Sequence, residues 1–184
     1  EAAYAAGEGV LFLTPHLGCF EVTAQALTAS FSAKFGPLTV LYRPSRKEGL
    51  GQVMEATRAR PGLETAPTTL AGVRQMIKAL RAGRSVGLLP DQVPPEGMGQ
   101  WAPFFGHPAY TMTLASKLAK TTGAHVLMVF GERLAYGRGY AIHVRSIADG
   151  GIDTPCLLNS EIERTILQCP SQYLWGYDRY KARD

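Results

Sequence analysis

Four short apolar runs set the terms for what this chain can fold into. Val10-Leu11-Phe12-Leu13-Thr14 lies between Gly9 and Pro15, and Leu38-Thr39-Val40-Leu41-Tyr42 stops at Arg43-Pro44. Ser85-Val86-Gly87-Leu88-Leu89 stops at Pro90-Asp91, and a fourth run covers residues 125–131. Runs of this length, apolar throughout and closed by turn residues, read as strands buried on both faces. Between them lie helical stretches, expected over 22–31, 47–57, 69–82, 111–122 and 161–168, the last capped by Ser160. The clearest is 69–82. Leu70, Val73, Ile77 and Leu80 recur at intervals of three and four, and Gly83 stands where a left-handed cap belongs. Residues 140–144 alternate like a further strand, and the Gly/Pro-rich stretch 92–107 reads as loop. Strands alternating with helices predict an α/β sandwich, its central sheet mostly parallel or mixed and flanked by helices.

The 184 residues fit one domain, 1–184, and 46% hydrophobic content suits a globular core. No repeat or low-complexity tract divides the chain. A net charge of +4 is too small to argue for nucleic acid; it suits an anionic partner or simply a solvated basic face. Cys19, Cys156 and Cys169 match no disulfide framework or zinc site, so a reducing compartment is the simpler reading. No apolar stretch approaches the roughly 20 residues that span a bilayer. The chain opens with Glu1-Ala2-Ala3-Tyr4 and no initiator Met, which leaves room for a membrane anchor upstream.

In parallel sheets ligands collect at the carboxyl ends of strands. Three polar residues, His16, Arg43 and Asp91, each sit just past an expected strand. His16 and Glu21 are five residues apart, and on one continuous helix they would diverge by about 140°. They meet only if His16 lies in the turn before the helix and Glu21 in its first turn, an arrangement that Pro15 and Gly18 permit. A carboxylate that holds a histidine tautomer leaves the other ring nitrogen free as a general base. Taken alone, the pair is better explained as a loop histidine beside a carboxylate favoured at a helix N-terminus. Arg43 and Asp91 read either as a structural ion pair or as a site in which a guanidinium binds an oxyanion or phosphate. Gly-x-Ser-x-Gly is absent, and Cys19 near His16 has no nucleophile motif around it. The remaining histidines are scattered, so no metal and no cofactor is expected.

Six blocks in order carry a family resemblance over Val10 through Tyr180. They are His16-Leu17-Gly18-Cys19-Phe20-Glu21, Tyr42-Arg43-Pro44, the G-x-R-x-x-I-x-x-L-x-x-G helix from Gly72 to Gly83, Pro90-Asp91-Gln92, Pro103-Phe104-Phe105-Gly106, and the terminal Gln172-Tyr173-Leu174-Trp175 with Arg179-Tyr180-Lys181. Together they resemble the late acyltransferases of lipid A synthesis, the lauroyl and myristoyl transferases, which are related to the H-x4-D/E glycerolipid acyltransferases. The resemblance implies a glycerolipid-acyltransferase-like sandwich. It implies acyl transfer from an acyl carrier protein thioester to a hydroxyl of a lipid A precursor, at the cytoplasmic face of a bacterial inner membrane. His16 is then the general base with Glu21 as its partner, attack is direct, and no acyl-enzyme forms. Arg43, Asp91 and Arg179 become the expected substrate, oxyanion or phosphate contacts. Phe104, Phe105, Tyr110 and Met112 become an acyl pocket, against the plainer reading that they are core. Arg46, Lys47 and the stripe Arg74, Lys78 and Arg81 would dock the acidic carrier or anionic lipid, against the plainer reading of a solvated helix face. The rival readings are a glycerolipid or other glycolipid acyltransferase, and a non-catalytic lipid- or carrier-binding module on the same fold.

Overall fold

The computed structural model describes residues 2–5, 7–42 and 61–181. Its main sheet has six strands: β1 (Val10–Leu13), β2 (Leu38–Tyr42), β3 (Leu63–Pro67), β4 (Ser85–Leu88), β7 (His125–Arg133) and β8 (Tyr140–Ser146). Their spatial order is β3-β2-β4-β1-β7-β8. Every pairing is parallel except β7 with β8, which closes one edge as an antiparallel strand. The expected α/β sandwich with a mostly parallel sheet is what the chain forms.

The helices are α1 (Ala2–Ala5), α2 (Phe20–Phe35), α3 (Leu70–Arg81), α4 (Leu114–Thr122) and α5 (Pro155–Ile166). Strand β1 shows why the runs are apolar throughout. Leu11 and Leu13 face a core built with α3, α4 and α5, while Val10 and Phe12 face a second core with Leu27 of α2 and Tyr4 of α1. All four are essentially inaccessible to water. Each fully buried side chain of this size contributes about 1.5–3 kcal/mol, so a central strand admits no polar alternation.

Three expectations needed correction, and one strand was not foreseen. Residues 99–112, split between loop and helix in the sequence reading, are a hairpin of β5 (Gly99–Phe104) and β6 (His107–Met112). Pro103 lies opposite Pro108 in it, an arrangement that a two-stranded ribbon tolerates because both of its strands are edges, where a proline needs no partner for its missing N–H. Its turn is the pair Phe105-Gly106, both with positive φ (46° and 79°), as a type I′ turn requires. The next helix therefore starts at Leu114, after the strand. The last helix begins at Pro155, capped by the Thr154 hydroxyl accepting from Leu157 N at 3.2 Å, and Ser160 lies inside it. Strand β3, too polar to show as an apolar run, occupies the far sheet edge. The helix expected over 47–57 lies outside the described residues. Among the described residues, no helix is long and apolar enough to cross a membrane.

Candidate active site

Strands β1 and β4 are parallel neighbours with Leu13 opposite Leu88. Thr14 N continues the ladder by donating to Leu88 O at 2.9 Å. His16 and Asp91 each lie three residues beyond those strand ends, so the register brings them face to face. The two strands lead away in opposite directions, β1 through α2 to β2 and β4 onward to β7 on its other side. Such a reversal opens a crevice at the carboxyl ends of the sheet.

Asp91, only 2% exposed, binds His16 twice. Its Oδ2 accepts from the His16 backbone N–H at 2.8 Å, and its Oδ1 meets ring Nδ1 at 2.8 Å. A carboxylate accepts, so Nδ1 carries the ring proton and Nε2 keeps a bare lone pair. Nε2 lies 3.2 Å from the Gln92 side-chain amide nitrogen, which donates to it. Both ring nitrogens of His16 thus have partners, and Glu21 is neither of them. The expected His16–Glu21 pair is corrected to His16–Asp91. Spacing along one chain pointed to Glu21, but strand pairing brings in a carboxylate 75 residues away. Glu21 does sit in the first turn of α2, as expected. The preceding Phe20 packs edge-on to the His16 ring at 5.0 Å.

The loop that carries His16 is pinned on two sides. Gly18 N donates to Gln172 O at 3.0 Å, Leu174 N donates to His16 O at 3.1 Å, and Cys19 N donates to Gly131 O of β7 at 2.8 Å. Leu17 and Tyr173 form an isolated bridge, as do Gly18 and Gly131. Gly18 has φ +62°, and a Cβ there would collide with the Gly131 carbonyl. The loop can approach β7 this closely only with glycine.

Tyr173, in the terminal block of the sequence, stands beside this network. Burial, and then the charge of the neighbouring Asp91, hold its phenol protonated well above the usual tyrosine range. Its signal in the sequence was only its place in the block. Tyr177, close behind, accepts from Val93 N at 3.0 Å through its hydroxyl and so fixes the backbone just past Asp91-Gln92.

Arg179, expected to contact substrate, braces the interior and also lines an aromatic cavity. It is 3% exposed. It donates to Tyr110 O at 2.8 Å, Thr111 Oγ1 at 2.8 Å and Asn159 Oδ1 at 3.4 Å, and its guanidinium lies over the Phe104 ring. Burial lowers its pKa, and Tyr173 and Asp91 oppose that shift. It therefore ties the C-terminal block to β6 and α5 and places a positive charge behind Asp91.

A cavity of about 240 Å³ lies among Phe104, Tyr173, Trp175, Tyr177, Arg179 and Tyr180. Of the four expected acyl-pocket residues, Phe104 lines it. Phe105 packs on Trp175 at 5.6 Å, with its own N–H donating to Glu163 at 2.8 Å. Tyr110 turns its hydroxyl to Gly99 N, and Met112 packs against the core, so neither lines this cavity. Arg74, Lys78 and Arg81 line an open groove with Ile77 and Ala82. It lies toward the amino end of the sheet, where Gly83 approaches Gly7 and Leu80 touches Gly9. The structure does not bring this stripe to His16. Arg43, Arg46 and Lys47 lie outside the described residues.

The model of the family described as bacterial lipid A biosynthesis acyltransferase matches residues 1–182. The chain belongs to this family. It is 29% identical over 152 residues to the lipid A biosynthesis palmitoleoyltransferase of Escherichia coli K12, covering 80% of this chain and 49% of that protein. It is 24% identical over 186 residues to a lipid A biosynthesis acyltransferase of Haemophilus influenzae, covering 100% of this chain and 57% of that one. With the lipid A biosynthesis lauroyltransferase of Escherichia coli K12 it shares 29% identity over 117 residues, 60% of this chain and 38% of the relative. The chain thus spans about half the length of the curated relatives it matches. Within the family, the matched stretch includes the crevice, the His16 loop and the C-terminal segment that clamps it.

Proposed function

We propose that this chain carries the machinery for moving a fatty acyl group from an acyl carrier protein thioester to a hydroxyl of a lipid A precursor, at the cytoplasmic face of the bacterial inner membrane. The observation that carries this reading is the two-point hold of buried Asp91 on His16, which leaves ring Nε2 as the basic nitrogen at the end of β1. Family membership supplies the acyl transfer.

In this mechanism His16 Nε2 takes the proton of the acceptor hydroxyl as that oxygen attacks the thioester carbonyl. Asp91 keeps the proton on Nδ1 and stabilises the imidazolium that forms. Glu21, in the first turn of α2, supplies further negative charge in support of that cation. The tetrahedral intermediate collapses with loss of the carrier thiolate, which recovers the proton from His16. Attack is direct. His16 pairs with Asp91 and Gln92, and no hydrogen bond links it to the Cys19 thiol to activate it. The aromatic cavity beside Tyr173 is where the acyl chain lies, its wall running through Trp175 and Phe104 to Tyr180.

The test is acyl transfer by the full-length protein in detergent, with a tetraacylated lipid A precursor as acceptor and glycerol 3-phosphate as competitor. Products are read by mass spectrometry. Wild-type protein acylates the glycolipid, and His16→Ala, still folded, loses about 10²–10⁴-fold in rate. Wild-type rates in His16→Ala, or glycerol phosphate as the preferred acceptor, overturn the reading.

A further inference from the structure

The lone pair that must accept the acceptor's proton is already occupied. The Gln92 amide nitrogen stands 3.2 Å from His16 Nε2, the separation an attacking hydroxyl has to reach. The two cannot share that position. Nor is Gln92 a loose surface side chain. The residue before it is the buried Asp91 bound to His16, and the residue after it donates its N–H to the Tyr177 hydroxyl at 3.0 Å. The backbone is therefore fixed on both sides, and the half-buried side chain can leave only by rotating about its own bonds.

We propose that Gln92 is a stand-in for the acceptor hydroxyl, holding water away from His16 until the acceptor displaces it. This rests on the reading of His16 as the base of an acyl transfer. A base poised beside a thioester activates water as readily as it activates an alcohol. Water would attack the carbonyl while giving its proton to Nε2. The carbon–sulfur bond would break, and the thiolate would take the proton back, releasing free fatty acid and carrier thiol. A donor amide seated on Nε2 removes the place where that water would sit. The His16 side chain is only 13% exposed, so one side-chain amide suffices to cover the nitrogen. The glycolipid hydroxyl, brought in by the rest of a large ligand, displaces the amide; a single water has no such binding energy to draw on. Gln92 is thus a specificity-determining residue, favouring transfer over hydrolysis.

The experiment measures two rates on the full-length protein with acyl carrier protein thioester: fatty acid release without acceptor, and acyl transfer with it. Gln92→Ala, and Gln92→Asn, whose shorter side chain does not reach Nε2, should each raise the ratio of hydrolysis to transfer by roughly tenfold or more. The gained hydrolysis should disappear in the double variant His16→Ala/Gln92→Ala. If both Gln92 variants melt as wild type and keep the ratio within about twofold, the inference is wrong, while loss of transfer in His16→Ala still upholds the underlying reading. Transfer that survives His16→Ala removes both. Hydrolysis that persists undiminished in the double variant also overturns the inference, because the water would then be activated elsewhere.

Discussion

Replacing Asp91 by Asn tests the central geometry with one oxygen exchanged for nitrogen. The native carboxylate accepts two bonds, from the His16 backbone N–H and from Nδ1–H, both 2.8 Å long. Asparagine has one acceptor and one donor end. Leaving the backbone N–H unpaired at a buried site would cost about 1–3 kcal/mol, so the amide oxygen turns to it. The amide NH2 then faces Nδ1, which must become an acceptor, and the ring proton moves to Nε2. The base nitrogen is now blocked by its own proton. Restoring the working tautomer sets two donors against each other, at about 2–3 kcal/mol. The variant also lacks the negative charge beside the developing imidazolium, worth a further 2–3 kcal/mol for a charged hydrogen bond. Together these put kcat down by about 10³–10⁴-fold at about 1.4 kcal/mol per decade. The corresponding change in a Ser-His-Asp triad costs about 10⁴. The assay is steady-state transfer at saturating acceptor, paired with the ¹⁵N spectrum of the His16 ring. The spectrum should show the proton moved from Nδ1 to Nε2. A loss below tenfold, or an unchanged tautomer in a folded Asp91→Asn variant, refutes the reasoning, and Glu21→Gln should leave the tautomer as in the wild type.

Two further changes probe the frame around the site. Gly18→Ala places a side chain at φ +62° and drives it into the Gly131 carbonyl; a loss of about 2–5 kcal/mol of stability is expected from denaturant titration, and a loss under about 1 kcal/mol would show that the loop is not held against β7. Tyr173→Phe tests the phenol at Asp91. Its pKa is raised on folding, so the folded chain keeps a proton that the unfolded chain loses above about pH 10, and stability falls as pH rises past that point. Removing the hydroxyl should flatten the alkaline fall in chemical-denaturation midpoints between about pH 9.5 and 11. An unchanged slope would mean that the phenol does not titrate abnormally.

The central strands were legible because burial on both faces leaves no freedom in composition, and Leu11 and Leu13 opposite Val10 and Phe12 in β1 show that directly. Helix α3 was legible from its apolar spacing, but the stripe was misplaced: Leu70 is exposed, and the buried face runs through Gly72, Met76, Ala79 and Leu80. The hairpin was hidden because Pro103 and Pro108 look like loop, and they are tolerated because both strands of a two-stranded ribbon are edges. The start of α5 was written in Thr154-Pro155, a capping residue followed by proline at the first turn, and was overlooked in favour of Ser160. Arg179 looked like a ligand contact because a cationic residue in an aromatic block suits one; its burial against Thr111 and Asn159 depends on contacts 68 and 20 residues away.

The same division runs through the site. By itself the sequence determined that a strand ends just before His16, that another ends just before Asp91, and that Gly18 lets the chain turn sharply into a helix beginning near Glu21. These are local matters of apolar runs, proline and glycine. Only the tertiary structure decided which carboxylate holds the histidine. Parallel pairing of β1 with β4, Leu13 against Leu88, carries Asp91 to Nδ1 and Gln92 to Nε2. Register between strands is set by the packing of both sheet faces, and no spacing within one segment encodes it.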